Sequence, residues 1–581
     1  MVVLLPHTGG TAALNPWRTL RTSVQVLLCI FCLAVSIVRA EEEPKAQPAS
    51  TEPRLSTALR VFVREFRFDG NTVFTDAELA RVTAPYANRE LASTELEDAR
   101  RAVTLHYVNK GFINSGAIIP DQGVKDGSVT FKIIEGRLSE IVVRGTNELF
   151  RTQWLRSEYV RGRLERWSGP PLNLFELREG LQLLRQDRNV KQINSELRPG
   201  TKPGESVLDV RLKEANPFRL GIQFDNHRPP SVGAEQITAL AGDRNLTGHG
   251  DSVEVSYVIA HTTARIRNKT NAVPPKTVTT RDFDLADEDN FAGSYTLPLN
   301  RYDTTLTIFG SQSDYAILEE PFSALDINSE TIKYGFGIRH PLFRSTRSEF
   351  ALGFTAEREE SQTFLAGVPF TVSPGAVKGE TDLSILRFSQ EWIGRSQEHV
   401  LALRSTFSVG IDALGITDDG SRRDGQFFAW LGQAQYVQRL FGTGNQLILR
   451  SNFQWSDGPL LSLEQFTLGG SDTVRGYREN QIVRDRGVLA SAEFRVPILY
   501  DKSRREMAQL APFADYGRGW NASGPSAKHN SIASVGIGLL VTPIKHVSGQ
   551  IYWGQQLREI DTSDDDIQDL GVHFQVNIEA F

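Results

Sequence analysis

The segment Leu468-Gly469-Gly470-Ser471-Asp472-Thr473-Val474-Arg475-Gly476-Tyr477 holds the residue types best able to do specific chemistry in this chain. It is too glycine-rich for a strand, and glycines permit a tight reversal and close backbone approach. Arg475 falls at or near the tip. On an exposed loop it would simply be solvated. Folded into a lumen it would need a carboxylate partner, because an unpaired buried charge is expensive. Arginine suits that task better than lysine, since its planar fork grips a carboxylate with two hydrogen bonds. Phe513-Ala514-Asp515-Tyr516-Gly517 supplies a candidate on a later strand, with Asp515 facing opposite to Ala514.

Other chemistry is sparse. The 10 histidines are scattered, and none forms a ligand pair on a convincing helix. No glycine loop opens a helix in the way that cradles phosphate. Acidic residues are plentiful, but on alternating strands a carboxylate is more often a solvated wall group than an acid or base. These features predict no enzyme, with no catalytic, metal or cofactor-binding residues and no cofactor. They equally predict no small-molecule substrate.

The elements that must position Arg475 and Asp515 lie between Pro217 and Phe581. There the chain alternates apolar and polar residues in short stretches divided by Gly, Asp, Asn and Pro. Val253, Val255, Tyr257 and Ile259 alternate with Glu254 and Ser256; Leu403, Phe407, Val409 and Ile411 with Arg404, Thr406 and Ser408. Leu447, Leu449, Phe453 and Trp455, then Ala492, Phe494, Val496 and Ile498, repeat the pattern. Period two puts the two sets on opposite faces, one fit for lipid and the other for a watery lumen. A soluble sandwich also alternates, so periodicity alone does not separate the two. Residues 217–581 accommodate about sixteen spanning strands of roughly 9–11 residues, and fourteen or eighteen fit nearly as well. The longest loops are expected over His261–Asn290 and Gly469–Gly487.

Ahead of this region a β-α-α-β-β order occurs twice, at 59–136 and at 137–216. In the first unit, strand Val61–Phe68 precedes a short helix from Thr75 or Asp76 to Ala84. A second helix starts at Ser93 and carries Leu96, Ala99, Val103 and Tyr107 on one face. Strands Phe112–Ile119 and Ser128–Ile134 follow. The second unit reads as strand Leu138–Arg144, helices Arg151–Val160 and Leu174–Arg185, then strands Val190–Leu197 and Ser206–Lys213. Phe66–Phe74 aligns with Ile141–Phe150, so the repeat is visible in residues as well as in pattern. A period near 75 residues means tandem small domains.

The chain opens as an export signal over 1–40. Arg18 and Arg21 precede the uncharged apolar run Val24–Val38, with Val38-Arg39-Ala40 at the cleavage spacing. Residues 41–58, rich in Glu, Pro, Ala, Ser and Thr, read as a flexible lead-in. Cys29 and Cys32 both lie in the signal, so the mature chain has no disulfide framework and no thiolate site. The formal charge of −6 includes Arg18, Arg21 and Arg39, so their removal leaves −9. Nothing in that balance suggests nucleic acid, which needs a basic face, and no nucleic-acid partner is expected. Past residue 40 no run approaches the roughly 20 apolar residues of a spanning helix, so membrane residence requires a closed barrel.

Gly469-Gly470…Val474-Arg475-Gly476-Tyr477 followed by Phe513-x-Asp515-x-Gly517 resembles the two-partner secretion transporters, the haemolysin activator and filamentous haemagglutinin transporter family. Asn245-Leu246-Thr247-Gly248-His249-Gly250-Asp251 resembles that family's early hairpin, and Ser294–Leu299 and Ser311–Tyr315 its next strands. The paired front units resemble its two polypeptide-transport-associated (POTRA) domains, including Ile118–Gln122 and Glu135–Arg137. The resemblance covers roughly residues 60 to 581.

It implies a sixteen-stranded transmembrane antiparallel β-barrel in the outer membrane of a Gram-negative bacterium, with the POTRA domains in the periplasm. It also implies that the loop carrying Arg475 folds into the pore and is held by Asp515. Val474, Gly476 and Tyr477 are then motif neighbours on the loop, as Phe513 and Gly517 are on the wall. The implied partners are a secreted, β-helical, haemolysin- or adhesin-like exoprotein that crosses unfolded, with outer-membrane lipid and lipopolysaccharide around the barrel.

Three departures stand out. Residues 41–58 are short for the family's pore-plugging helix. Arg484 stands where the family usually shows glycine. The last strand alternates as Leu570, Val572, Phe574, Val576, Ile578, which leaves Phe581 one position off the outward register unless a bulge near Glu579 absorbs it. An outer-membrane insertase of the barrel-assembly type would share the Arg-Gly motif and POTRA domains, but commonly with more POTRA units. A secreted all-β adhesin would lack the two-domain front end.

Overall fold

A computed structural model describes residues 60–580 except 121, 123, 125, 148–151, 262–288, 318–326, 372–373, 419, 421–424, 441, 443, 525–528 and 561–565. The export signal, the lead-in, most of the His261–Asn290 loop and Phe581 lie outside the described residues.

The first unit comprises β1 (Arg60–Val63), β2 (Glu65–Asp69), α1 (Asp76–Thr83), β3 (Arg89–Ala92), α2 (Ser93–Asn109), β4 (Gly116–Ile118) and β5 (Ser128–Ile134). Thr75 caps α1, its hydroxyl accepting from the Glu78 N–H at 3.3 Å. The predicted face of α2 is the buried one: Ala99, Val103 and Tyr107 pack with Leu79 of α1 and with Val129, Phe131 and Ile133 of β5. The sheet runs β2-β5-β4, with β2 and β5 parallel. The single strand expected over Val61–Phe68 is in fact two. It breaks at Arg64, whose N–H donates to Gly127 O at 2.7 Å, and β1 turns away to pair with the short β3. The strand expected from Phe112 is confined to β4, because Phe112–Ser115 forms a turn that closes α2.

The second unit repeats the order as β6 (Arg137–Asn147), α3 (Ser157–Glu165), α4 (Leu174–Arg185), β7 (Val190–Pro199) and β8 (Glu205–Glu214), with sheet order β6-β8-β7. Its core joins Val160 and Leu164 to Leu177, Leu184, Leu208 and Val210. The helix expected at Arg151–Val160 starts later, at Ser157. The residues before it are drawn off by Glu214, whose carboxylate accepts from the Trp154 and Leu155 N–H groups at 3.1 Å.

From Phe218 onward the chain forms β9 (Phe218–Asp225), β10 (Glu235–Asp243), β11 (Ser252–His261), β12 (Asp289–Pro298), β13 (Thr305–Ala316), β14 (Ile327–Arg344) and β15 (Ser348–Leu365). The two-residue β16 (Val368–Pro369) is a flap on β15. There follow β17 (Glu380–Arg395), β18 (His399–Gly410), β19 (Phe428–Leu440) and β20 (Asn445–Ser456). After the short β21 (Phe466–Leu468) and β22 (Ile482–Arg484) come β23 (Arg486–Tyr500), β24 (Glu506–Trp520), β25 (Ser531–Ile544), β26 (Val547–Gln556) and β27 (Val572–Glu579).

The sixteen long strands close antiparallel into a barrel, β27 pairing back onto β9 with Ile578 opposite Ile222. Closure satisfies every strand edge, the condition for crossing lipid. Their outward rows are apolar and exposed: Phe218, Leu220, Ile222 and Phe224 on β9, Tyr334, Phe336 and Ile338 on β14, Val535, Ile537 and Leu539 on β25. Exposed apolar rows of this extent fit a hydrocarbon surround. Among the described residues no helix is long and apolar enough to cross a membrane.

Candidate functional site

Between β20 and β23 the chain leaves the wall and folds into the lumen, with β21 and β22 paired within it. This loop carries a dry cluster of Phe466, Leu468, Val474, Tyr477 and Ile482, packed against Leu489 of β23 and Ile532 of β25. The inside of the barrel is therefore part polar wall and part apolar plug.

Arg475 is 1% exposed, and all its hydrogen-bonding partners come from the wall. Its Nε and Nη2 donate to the two oxygens of Asp515 at 2.8 and 3.0 Å, and its backbone N–H donates to the same carboxylate at 3.1 Å. Nη1 donates to Glu493, and Nη2 to the Ser491 hydroxyl at 3.3 Å. The guanidinium plane lies 3.8 Å from the Phe513 ring centroid and 4.8 Å from that of Tyr552. Glu493 in turn accepts from Arg495 Nε at 2.6 Å. Two cations thus face two carboxylates, which is what makes burial of the group tolerable. The register explains the convergence: Ser491 and Glu493 of β23 lie opposite Asp515 and Phe513 of β24.

The other motif residues position this contact. Val474 and Tyr477 are both fully buried. The Tyr477 hydroxyl donates to backbone carbonyls of Ala533 and Arg558, at 2.9 and 2.8 Å. Gly476 has φ +91°, and a Cβ there would lie 2.7 Å from Gly554 O. A Cβ on Gly517 would strike the Leu468 and Val474 side chains at 2.7 and 2.9 Å. Each predicted motif residue therefore meets the Arg475–Asp515 contact or the loop around it.

Several anchors were not anticipated. Glu493 and Gly554 belong to strands whose alternation gave them no distinguishing mark. The ascending limb of the loop is held on a separate stretch of the wall. Arg387 of β17 grips Glu464 with Nη1 at 3.0 Å and Nη2 at 2.6 Å, while its Nε donates to Glu357 at 2.7 Å. Leu460 and Leu461 pack there against Leu383 and Ile385. Arg478 forks onto Asp569 at 2.5 and 2.7 Å. Asp485, fully buried, accepts from the Leu460 and Ala522 N–H groups and from Gln465 Nε2, at 2.8–3.0 Å. Arg484, where glycine was expected, lies over Gly519 and donates to Val483 O and His529 O.

The second α/β unit is fastened to three turns at one end of the barrel, those joining β10 to β11, β12 to β13 and β14 to β15. The Trp154 indole donates to Asn245 O at 2.6 Å, Arg163 pairs with Asp303 at 2.8 Å, and the Thr346 N–H donates to Glu179 at 2.5 Å. Among the described residues no cluster of side chains could hold a metal ion.

Comparison with known proteins agrees with this architecture. Residues 204–541 match the family model described as haemolysin secretion/activation protein ShlB/FhaC/HecB, and residues 61–136 match the ShlB-type POTRA domain. The outer membrane transporter CdiB of Dickeya dadantii is 25% identical over 437 residues, 73% of this chain and 70% of that protein. The hemolysin transporter protein HpmB of Proteus mirabilis is 21% identical over 453 residues, 77% of this chain and 74% of that one. In fold, the solved CdiB of Escherichia coli superposes with a TM-score of 0.66 at 23% identity, covering 92% of each chain. The CdiB of Acinetobacter baumannii gives 0.59 at 16% identity, covering 96% of this chain and 97% of that one. With a closed sixteen-stranded barrel, periplasmic POTRA architecture and a family match across most of the barrel, the chain belongs to the haemolysin secretion/activation (ShlB/FhaC/HecB) family of outer-membrane transporters.

Proposed function

We propose that this transporter takes one unfolded exoprotein from the periplasm, passes it through the barrel and releases it at the cell surface, with Arg475 as the residue that seats the pore loop. The observation carrying this is the bidentate Arg475–Asp515 pair, which fixes a loop with its own apolar core across the lumen. A passage filled in this way conducts a chain only when the loop yields, so the pair sets the balance between filled and open. The edge of β7, which among the described residues pairs with β8 alone, offers unpaired backbone groups to an extended chain. Folding outside then draws the exoprotein forward without ATP. A haemolysin- or adhesin-like β-helical cargo fits that energetics, since it gains its structure only after crossing. Lipid and lipopolysaccharide surround the apolar outer rows.

Removing this chain from the producing strain tests the reading. The expected result is loss of one large exoprotein from the medium with the remaining outer-membrane barrels at normal levels. A joint fall of many barrel proteins would mark an insertase and overturn it.

A further inference from the structure

Beneath the barrel, between the second periplasmic unit and the ends of β10–β15, two adjoining cavities of about 340 and 220 Å³ share Arg188 and Ser252. The larger is walled by Arg163, Arg166, Arg301, Arg339 and Arg344, the smaller by Arg219 and Arg244. The carboxylates present are fewer and already engaged. Asp303 is bound by Arg163 and Arg344 at 2.8 and 2.7 Å, and Glu349 by Arg339 and Arg344 at 2.5 and 3.3 Å. Arg219 takes Glu254 at 3.4 Å. Asp187 accepts from the Tyr159 hydroxyl and the Asn189 N–H, at 2.6 and 2.9 Å, and Asp243 accepts from the Asn245 N–H at 2.8 Å.

Three guanidinium groups are left over. Arg166, Arg188 and Arg244 have no ion-pair partner among the described residues. Arg166 instead lies 5.3 Å from each of the Trp167 and Tyr302 ring centroids. Arg244 is half-buried, and that burial, with Arg219 and Arg188 beside it, holds its guanidinium below the usual arginine range despite Glu579 and Glu254. Positive charge concentrated in a low-dielectric cleft raises the local concentration of anions.

The walls say which anion. Arg219 lies between Phe218 and Leu220, both exposed on the lipid face, so it points inward, and Thr296 and Thr307 bond across the same inner face at 3.0 Å. The site therefore opens on the passage rather than on the membrane. The edge strand β7 begins at Val190, two residues after Arg188, so a chain added along that edge is delivered to this arginine.

We propose that this vestibule is a carboxylate-binding site, in which Arg166, Arg188 and Arg244 take up an acidic stretch of the extended polypeptide as it enters the barrel. The inference rests on the export reading above and adds the chemistry by which the incoming chain is recognised. Each contact is exposed enough to be weak alone, so grip comes from several acting together, and the chain is free to move on.

The test uses the purified full-length mature protein in detergent. The probe is a fluorescent unstructured peptide of about twenty Glu, Gly and Ser residues, with Gln replacing Glu in a control. The Glu peptide should bind at least about tenfold tighter than the Gln peptide, a difference of roughly 1.4 kcal/mol. That preference should shrink as salt shortens the screening length. The R166Q/R188Q/R244Q variant should abolish it while the barrel keeps its heat-modifiable migration. If that variant does not fold, R188Q alone, an exposed side chain without an ion-pair partner, should still lower the preference two- to threefold.

Equal binding of the two peptides, or an unchanged preference in a folded variant, overturns the proposal. So does complete displacement by inorganic phosphate at the peptide's own concentration, or capture of anionic phospholipid vesicles through the same three arginines. Binding is read on purified protein and export in the deletion strain, so either reading can fail without the other.

Discussion

Gly476 of the pore loop and Gly554 of β26 meet backbone to backbone: a Cβ built on Gly554 would lie 2.8 Å from Gly476 Cα. No side chain separates the loop from the wall at that point, and Gly476 also needs its positive φ of 91°. Gly554→Ala, which keeps every charged group around Arg475 but would also press on the Arg475 carbonyl at 2.9 Å, should therefore push the loop off its seat. In planar bilayers we expect a larger resting conductance than that of the unaltered protein. Gly554→Ala with unaltered conductance would show that the close approach is not what seats the loop.

The carboxylates around Arg475 are not equivalent. Asp515 accepts from Nε, Nη2 and the backbone N–H, whereas Glu493 is shared with Arg495 and Tyr552. Asp515→Ala leaves a buried guanidinium short of its main partner, a loss of about 3–5 kcal/mol. Glu493→Gln should cost less, because a carbonyl oxygen remains to accept from Nη1. Urea unfolding of the inserted barrel, followed by its gel migration, should rank Asp515→Ala below Glu493→Gln below the unaltered protein.

At the periplasmic end, Asp303 bridges Arg163 of α3 and Arg344 of β14. These ion pairs are only partly buried, so Asp303→Asn should cost no more than about 1 kcal/mol. Its effect should appear as faster protease cleavage in the 215–217 linker, with barrel stability unchanged. Linker cleavage at the unaltered rate would show that the pair does not hold the unit in place.

The first periplasmic unit should be acid-sensitive through one group. Burial opposes ionisation of Glu135, but hydrogen bonds from the Thr72 hydroxyl, the Val73 and Thr72 N–H groups and the Tyr107 hydroxyl outweigh it. Its carboxyl is thus held below the usual 4.5. A depressed folded-state value means that its stabilisation is complete above the unfolded pKa and is lost as pH falls through the folded one. Limited proteolysis of this unit should accelerate below about pH 4.5, and Glu135→Gln should start less protected at pH 7 and lose the acid step. An unchanged acid profile in that variant would remove Glu135 from the account.

Much of this was legible in the residues. Val253–Ile259 alternates in the sequence and lies in β11; Ala99, Val103 and Tyr107 share a helix face and are the buried ones. Arg475 and Asp515 could be picked out because a glycine-rich segment inside an alternating region is itself anomalous. Glu493 could not: it is one of many inward carboxylates, and only the register of β23 on β24 brings it to Arg475. The same holds for Arg387 and Glu464, 77 residues apart and joined only because the loop carrying Glu464 folds back into the lumen onto β17. The early break at Arg64 and the late start of α3 reflect tertiary demands, from β3 and Glu214, that no local pattern records.

The central claim is that export needs a loop that Arg475 can both release and re-seat on Asp515, so that a loop left unseated in the lumen obstructs the chain. Measuring exoprotein release by cells carrying Arg475→Ala, with insertion checked by heat-modifiable migration, tests it most directly. We expect a barrel inserted at normal levels and release lowered by at least about tenfold, the loss of roughly 1.4 kcal/mol of coupling. Normal release from a normally inserted Arg475→Ala barrel would contradict the account.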